Sequence, residues 1–138
     1  VIRFLCLAIL LCAASPLAAQ GFNGVWQGRL TCDAVEGITQ TPLTAPFTVR
    51  VDGAVAKYER PVLSASGART GAWERGEGRV GVDGALVLVG GSSGRGFHYR
   101  ARYEGRLGPD SEARLTGTQD WMLDDRDFKR LCSVELRR

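Results

Sequence analysis

The chain has 138 residues, with 18 Lys+Arg against 15 Asp+Glu and a formal net charge of +3. That length suits one domain and not several, and so small a charge excludes the basic footprint of a nucleic-acid-binding module. Four cysteines and 18 glycines leave room for a stapled, turn-rich fold.

The first element is an address. Arg3 precedes an apolar run from Phe4 to Ala14, and Ser15-Pro16-Leu17-Ala18-Ala19 supplies the small residues of a cut site. These are the parts of a secretory signal peptide, and the run stops well short of the roughly 20 apolar residues that span a bilayer. Residues 1–19 are therefore expected to be removed after Ala19, the membrane serving only for export. The product, residues 20–138, is expected to work in the periplasm or outside the cell. Cys6 and Cys12 leave with the signal, so Cys32 and Cys132 remain. In an oxidising compartment such a pair reads as one disulfide. Closing a loop of about 100 residues removes unfolded-state entropy worth roughly 4 to 5 kcal/mol in the chain-entropy treatment.

From there the chain reads as strands, because apolar residues alternate with period two and no helical stripe appears. A first strand over Gly24–Cys32 carries Trp26, Gly28, Leu30 and Cys32 on one face. Phe47–Val51 follows, and Asp52-Gly53 reads as a hairpin turn into Ala54–Glu59. Pro61 lacks a ladder donor and is expected to interrupt the sheet, with Ser64–Arg69 as a loop. Ala72–Arg75 and Gly78–Val82 read as two short strands, and Asp83-Gly84 as the turn into an apolar strand, Ala85–Val89. Gly90–Gly94 reads as a flexible loop without the Lys-Ser/Thr of a phosphate cradle.

Phe97–Leu107 is the clearest strand. Phe97, Tyr99, Ala101, Tyr103, Gly105 and Leu107 share one face, and His98, Arg100, Arg102, Glu104 and Arg106 the other. Gly108-Pro109-Asp110 turns it into Ala113–Trp121, whose apolar face includes Gln119. Asp124–Lys129 reads as a charged loop or a single helical turn, and Leu131–Leu136 closes the run. The sum is an all-β protein of about eight strands, an antiparallel up-and-down barrel or, alternatively, a two-sheet sandwich. Closure removes exposed edges, and a Cys32–Cys132 bridge would lock the seam between first and last strands.

Gly24-Val25-Trp26 at the head of the first strand, with one long disulfide, resembles the Gly-x-Trp opening of the lipocalin and avidin-like (calycin) barrels. In that group the tryptophan plugs the closed end under a basic residue of the last strand, which the resemblance assigns here to Arg137 or Arg138. An eight-strand barrel is either filled or holds one small ligand. Trp26, Phe97, Tyr99, Tyr103, Gln119 and Trp121 are the candidate lining of such a cavity. Glycines on inward faces, Gly28, Gly105 and Gly117, leave space that a neighbour or a ligand must fill.

Chemistry has little to work with. His98 is the single histidine, on a polar strand face, and no nucleophile motif accompanies it. Asp120, Asp124, Asp125 and Asp127 lack the glycine and distal glutamate of an EF-hand loop, so no metal and no cofactor are expected. Arg100, Arg102, Arg106 and Arg114 form a candidate anion-binding stripe, set against an ordinary outward face neutralised by Glu104, Glu112 and Asp120. The expected function is non-enzymatic: a monomeric binding protein that takes a small apolar or aromatic ligand in its barrel, or an envelope or host protein on its loops. The alternative is an inhibitor of an envelope or host hydrolase, entering the target's cleft with the Ser64–Arg69 or Gly90–Gly96 loop.

Overall fold

A computed structural model describes residues 20–138; the predicted signal, residues 1–19, lies outside them. A single 3₁₀ turn at Gln20–Phe22 leads into eight strands: β1 (Gly24–Cys32), β2 (Leu43–Asp52), β3 (Val55–Leu63), β4 (Arg69–Val80), β5 (Ala85–Gly94), β6 (Phe97–Leu107), β7 (Glu112–Leu123) and β8 (Arg126–Arg137). Each pairs antiparallel with its sequence neighbour, and β8 returns to β1 to close a barrel. Closure settles the architecture against the sandwich, because every strand has a partner on both sides and no edge remains.

Alternation explains the core. Trp26, Leu30 and Cys32 of β1, Phe47, Val49 and Val51 of β2, Leu86 and Leu88 of β5, and Val134 and Leu136 of β8 point inward and are buried. In β5 the intervening Val87 and Val89 face outward and are exposed. At the closing seam Cys32 lies opposite Cys132 in register, with Cα atoms 4.0 Å apart, and the two are bonded.

Four local expectations need correction. Pro61 does not break the sheet: β3 runs through it, pairing Pro61 with Trp73, and a register shift between Pro61 and Leu63 absorbs the missing donor as a bulge does. The two short strands read at Ala72–Arg75 and Gly78–Val82 are one, β4. Gly90–Gly94 is no loop but the second half of β5, paired across the hairpin with the first half of β6, from Gly90↔Ala101 to Gly94↔Phe97. Close packing calls for glycine here: a Cβ at Gly90 would meet the Tyr58 hydroxyl, one at Gly76 of the facing β4 would meet the Tyr58 ring, and each would collide with the backbone of the other strand. Finally, Asp124–Lys129 is neither loop nor helical turn. Asp124 and Asp125, at φ 45° and 64°, form a two-residue turn and β8 begins at Arg126. Aspartate tolerates the left-handed region better than most residues, so a primed hairpin turn forms here without glycine.

The glycines at inward-parity positions open no interior space: Gly28 and Gly105 are exposed and Gly117 is half-buried. A Cβ at Gly117 would strike the Tyr103 ring, one at Gly105 would press on Leu115, and one at Gly28 would meet the Glu135 carbonyl. They let strands coil closely and aromatic rings lie flat, and they do not open a void.

Candidate functional site

The barrel interior is built in three levels. At the end where the chain enters, Trp26 is wholly buried, and its Nε1 donates to the Phe22 carbonyl at 2.9 Å. The Arg138 guanidinium stacks over its ring at 5.2 Å and donates to the Gly21 and Asn23 carbonyls. A cation over an indole is attracted by the ring quadrupole, so this end is plugged. Arg138, not Arg137, takes the place that the barrel resemblance implied; Arg137 instead pairs with Glu112 on the outer face.

At mid-height lies a buried polar hub that sequence reading did not find. Glu74 of β4, fully buried, accepts five hydrogen bonds: Tyr58 and Tyr103 hydroxyls donate to Oε1 at 2.9 and 2.8 Å, while Arg60 Nε, the Tyr99 hydroxyl and Gln119 Nε2 donate to Oε2 at 2.6, 2.7 and 3.3 Å. Arg60, also buried, uses its other nitrogens on the Pro61 carbonyl and the Tyr99 hydroxyl, both at 3.0 Å. Gln119 further donates to the Tyr103 hydroxyl at 2.8 Å and accepts from Trp121 Nε1 at 2.9 Å. Desolvating a carboxylate and a guanidinium costs several kcal/mol per ion, which only such complete pairing offsets.

The electrostatics follow. Burial first, and the Glu74 charge second, raise all three tyrosines far above their ordinary ionisation, so they remain neutral donors. Burial works against the charge on Arg60, but Glu74 leads a set of opposing influences that together raise its pKa.

Above the hub a blind cavity of about 420 Å³ opens at the end carrying the β1–β2, β3–β4, β5–β6 and β7–β8 connections. Its wall is largely apolar, with Leu43, Val62, Phe97, Trp121 and Phe128 among its residues and serines and threonines nearer the connections. Trp121 is the centre of an aromatic stack, 3.9 Å from Tyr99 below and 5.8 Å from both Phe97 and Phe128. Among the described residues, Arg130 is the one charged residue of the wall. Its guanidinium lies 5.9 Å from the Trp121 ring, Nη2 has only a 3.5 Å contact to Thr39 Oγ1, and among the described residues Nε has no hydrogen-bond partner. Burial, then repulsion from Arg60, lower its pKa, against the opposite influence of Tyr99 and Tyr103.

The six candidate lining residues thus separate. Phe97 and Trp121 line the cavity, Tyr99, Tyr103 and Gln119 belong to the hub beneath it, and Trp26 plugs the other end. Tyr58, Arg60, Glu74 and Arg130 were missed. The available signal was parity: Tyr58 and Arg60 alternate with Lys57 and Glu59 in step with inward Ala56, and Glu74 is in step with inward Val80. The arginine stripe faces outward, and three of its four members have acidic partners. Arg102 pairs with Glu104 at 3.0 Å, Arg106 with Asp83 at 3.0 Å and Arg114 with Glu135 at 3.9 Å, while Arg100 stands opposite Asp120 in register. His98 is exposed on the same outer face. Among the described residues no cluster of three His, Cys, Asp or Glu side chains is placed to hold a metal ion.

No protein-family model and no curated protein sequence matches this chain. Among solved structures, Rv2717c from M. tuberculosis is similar over 86% of this chain and 94% of its own, at 17% identity and a TM-score of 0.43. The chain is an eight-strand antiparallel barrel with a seam disulfide, a fold compatible with a binding protein.

Proposed function

We propose that this protein is a non-enzymatic, periplasmic or secreted binding protein that takes a small apolar or aromatic ligand into the cavity at the open end of its barrel. The observation that carries the reading is the blind cavity itself, roomy and apolar above a hub that seals it from the plugged end. Small-molecule sites are concave and apolar with a few placed polar groups, and this cavity has that character. The disulfide suits an oxidising compartment. Support for a non-catalytic role comes from the hub, whose carboxylate, guanidinium and phenols are withdrawn from solvent and occupied by one another. Nucleic acid is not the partner this reading favours, since the net charge is only +3 and outer arginines such as Arg102, Arg106 and Arg137 pair with acids, and the working unit is a monomer.

The inhibitor alternative keeps one of its two loops. Gly90–Gly94 is paired strand, whereas Ser64–Ala68 is a tight turn closed by the Ser64 carbonyl and hydroxyl.

The test is to recover the protein from its own host under native conditions and weigh it intact, then to titrate apolar and aromatic compounds while following tryptophan fluorescence. A retained small molecule, and binding that Leu43→Trp abolishes by filling the cavity, are expected. Binding undiminished in a folded Leu43→Trp protein would remove the cavity from consideration.

A further inference from the structure

We infer that the ligand is a monocarboxylate, its carboxylate paired with Arg130 and its apolar part lying along Trp121, Phe97 and Phe128. The inference rests on the cavity being a ligand site and adds the chemical class. Its first support is the charge count of the interior. Glu74 and Arg60 neutralise each other at 2.6 Å, and among the described residues the remaining interior charge is Arg130, only 5% exposed. Among the described residues no carboxylate lies within ion-pair distance of it. The groups that influence it electrostatically are another cation, Arg60, and two neutral phenols, Tyr99 and Tyr103. A buried charge without a partner is costly unless something completes it, and here the guanidinium lines a cavity large enough to admit the partner.

The geometry sets the head group. One guanidinium offers a planar fork that matches a carboxylate, and one negative charge cancels one positive charge. A phosphate monoester brings about −1.5 to −2 and three acceptor oxygens, more than a single arginine and a threonine hydroxyl satisfy. The ring of Trp121 fixes the guanidinium from one side, so little order is lost when the ligand arrives. Size sets the remainder: 420 Å³ holds on the order of 14 non-hydrogen atoms at the volume per water of the liquid. That admits a medium-chain fatty acid or a bicyclic aromatic acid.

The experiment is calorimetric titration of the disulfide-intact protein at neutral pH with two acid and alcohol pairs, decanoate with decanol and naphthoate with naphthylmethanol, and with decyl phosphate. At least one acid is expected to bind about 10- to 100-fold more tightly than its alcohol, the worth of a charge-assisted hydrogen bond or two. Arg130→Met should erase that preference while leaving the alcohol's affinity intact, and Arg130→Lys should restore part of it. Equal binding of acid and alcohol by the wild type, or an acid preference that survives Arg130→Met, overturns the inference but leaves the cavity as a ligand site. Tighter binding of decyl phosphate than of either acid overturns the choice of carboxylate. If acids, alcohols and phosphate all fail to bind, the underlying reading falls with it. The wild-type comparison needs no variant, so a misfolded Arg130→Met protein does not rescue the inference.

Discussion

Arg60 and Arg130 are both withdrawn from solvent, at 1% and 5% exposure, on inward positions of the same barrel, yet they are opposites in their surroundings. Arg60 has a carboxylate at 2.6 Å, a backbone carbonyl and a phenol. Arg130 has a threonine hydroxyl at 3.5 Å and an orphaned Nε. One arginine completes the interior, and the other leaves it unfinished at the wall of a cavity. A fold that satisfies one buried guanidinium so fully and leaves a second open separates a structural ion from an ion held for a partner.

Substitutions that treat the two alike should therefore give opposite results. The largest effect is expected at the hub. Glu74→Leu leaves Arg60 and three phenols without their acceptor and should cost about 3 to 5 kcal/mol by denaturant unfolding; a loss under about 1 kcal/mol would mean the hub is no more than tolerated. Next, removing the seam bridge by a Cys32→Ala, Cys132→Ala double change should cost about 2 to 4 kcal/mol in the same assay.

The tyrosines sharpen the contrast through pH. The protein's three tyrosines are all in the hub, and burial with the Glu74 charge raises each in the folded state. The folded chain then holds protons that the unfolded chain releases above its ordinary value of about 10. Their stabilisation is complete below that pH and is lost as pH rises beyond it. Phenolate absorbance should appear in one step, together with alkaline unfolding followed by circular dichroism. A separate tyrosine titrating while the fold persists would show the hub to be open to water.

At Arg130 the sign should reverse. Arg130→Met removes an unpaired buried charge and should raise the stability of the ligand-free protein by about 1 to 2 kcal/mol, and a marked loss would show that the guanidinium is compensated after all. The smallest effect belongs to the outer face, where Arg102→Ala breaks an exposed pair with Glu104 and should change stability by about 0.5 kcal/mol or less.

Much of this fold was legible in the chain. Gly24–Cys32 and Phe97–Leu107 are strands with the bounds that alternation gives them, because one wet and one dry face impose period two on the residues themselves. The expectations that failed were those read from single residue types. Pro61 and the glycines of Gly90–Gly94 look like breaks when taken alone, but a bulge accommodates the first and the Tyr58 hydroxyl and the facing backbone explain Gly90 among the second. The candidate site was half legible. Tyr99, Tyr103, Gln119 and Trp121 were found on inward faces, while Glu74 was not, since a lone carboxylate between Trp73 and Arg75 reads as surface until its five donors are assembled.

The sequence by itself determined the strand faces, turns within one residue of Asp52-Gly53 and Asp83-Gly84, and the pair of cysteines available to the seam, all of them properties of neighbours along the chain. Only the tertiary structure decided which polar residues became interior. The hub gathers side chains from β3, β4, β6 and β7, with Glu74 and Gln119 45 positions apart, and whether a buried charge is paired depends on what closure of the barrel brings beside it. That is why Arg60 and Arg130, alike in sequence as basic residues near an acid, end as a completed ion pair and an open one.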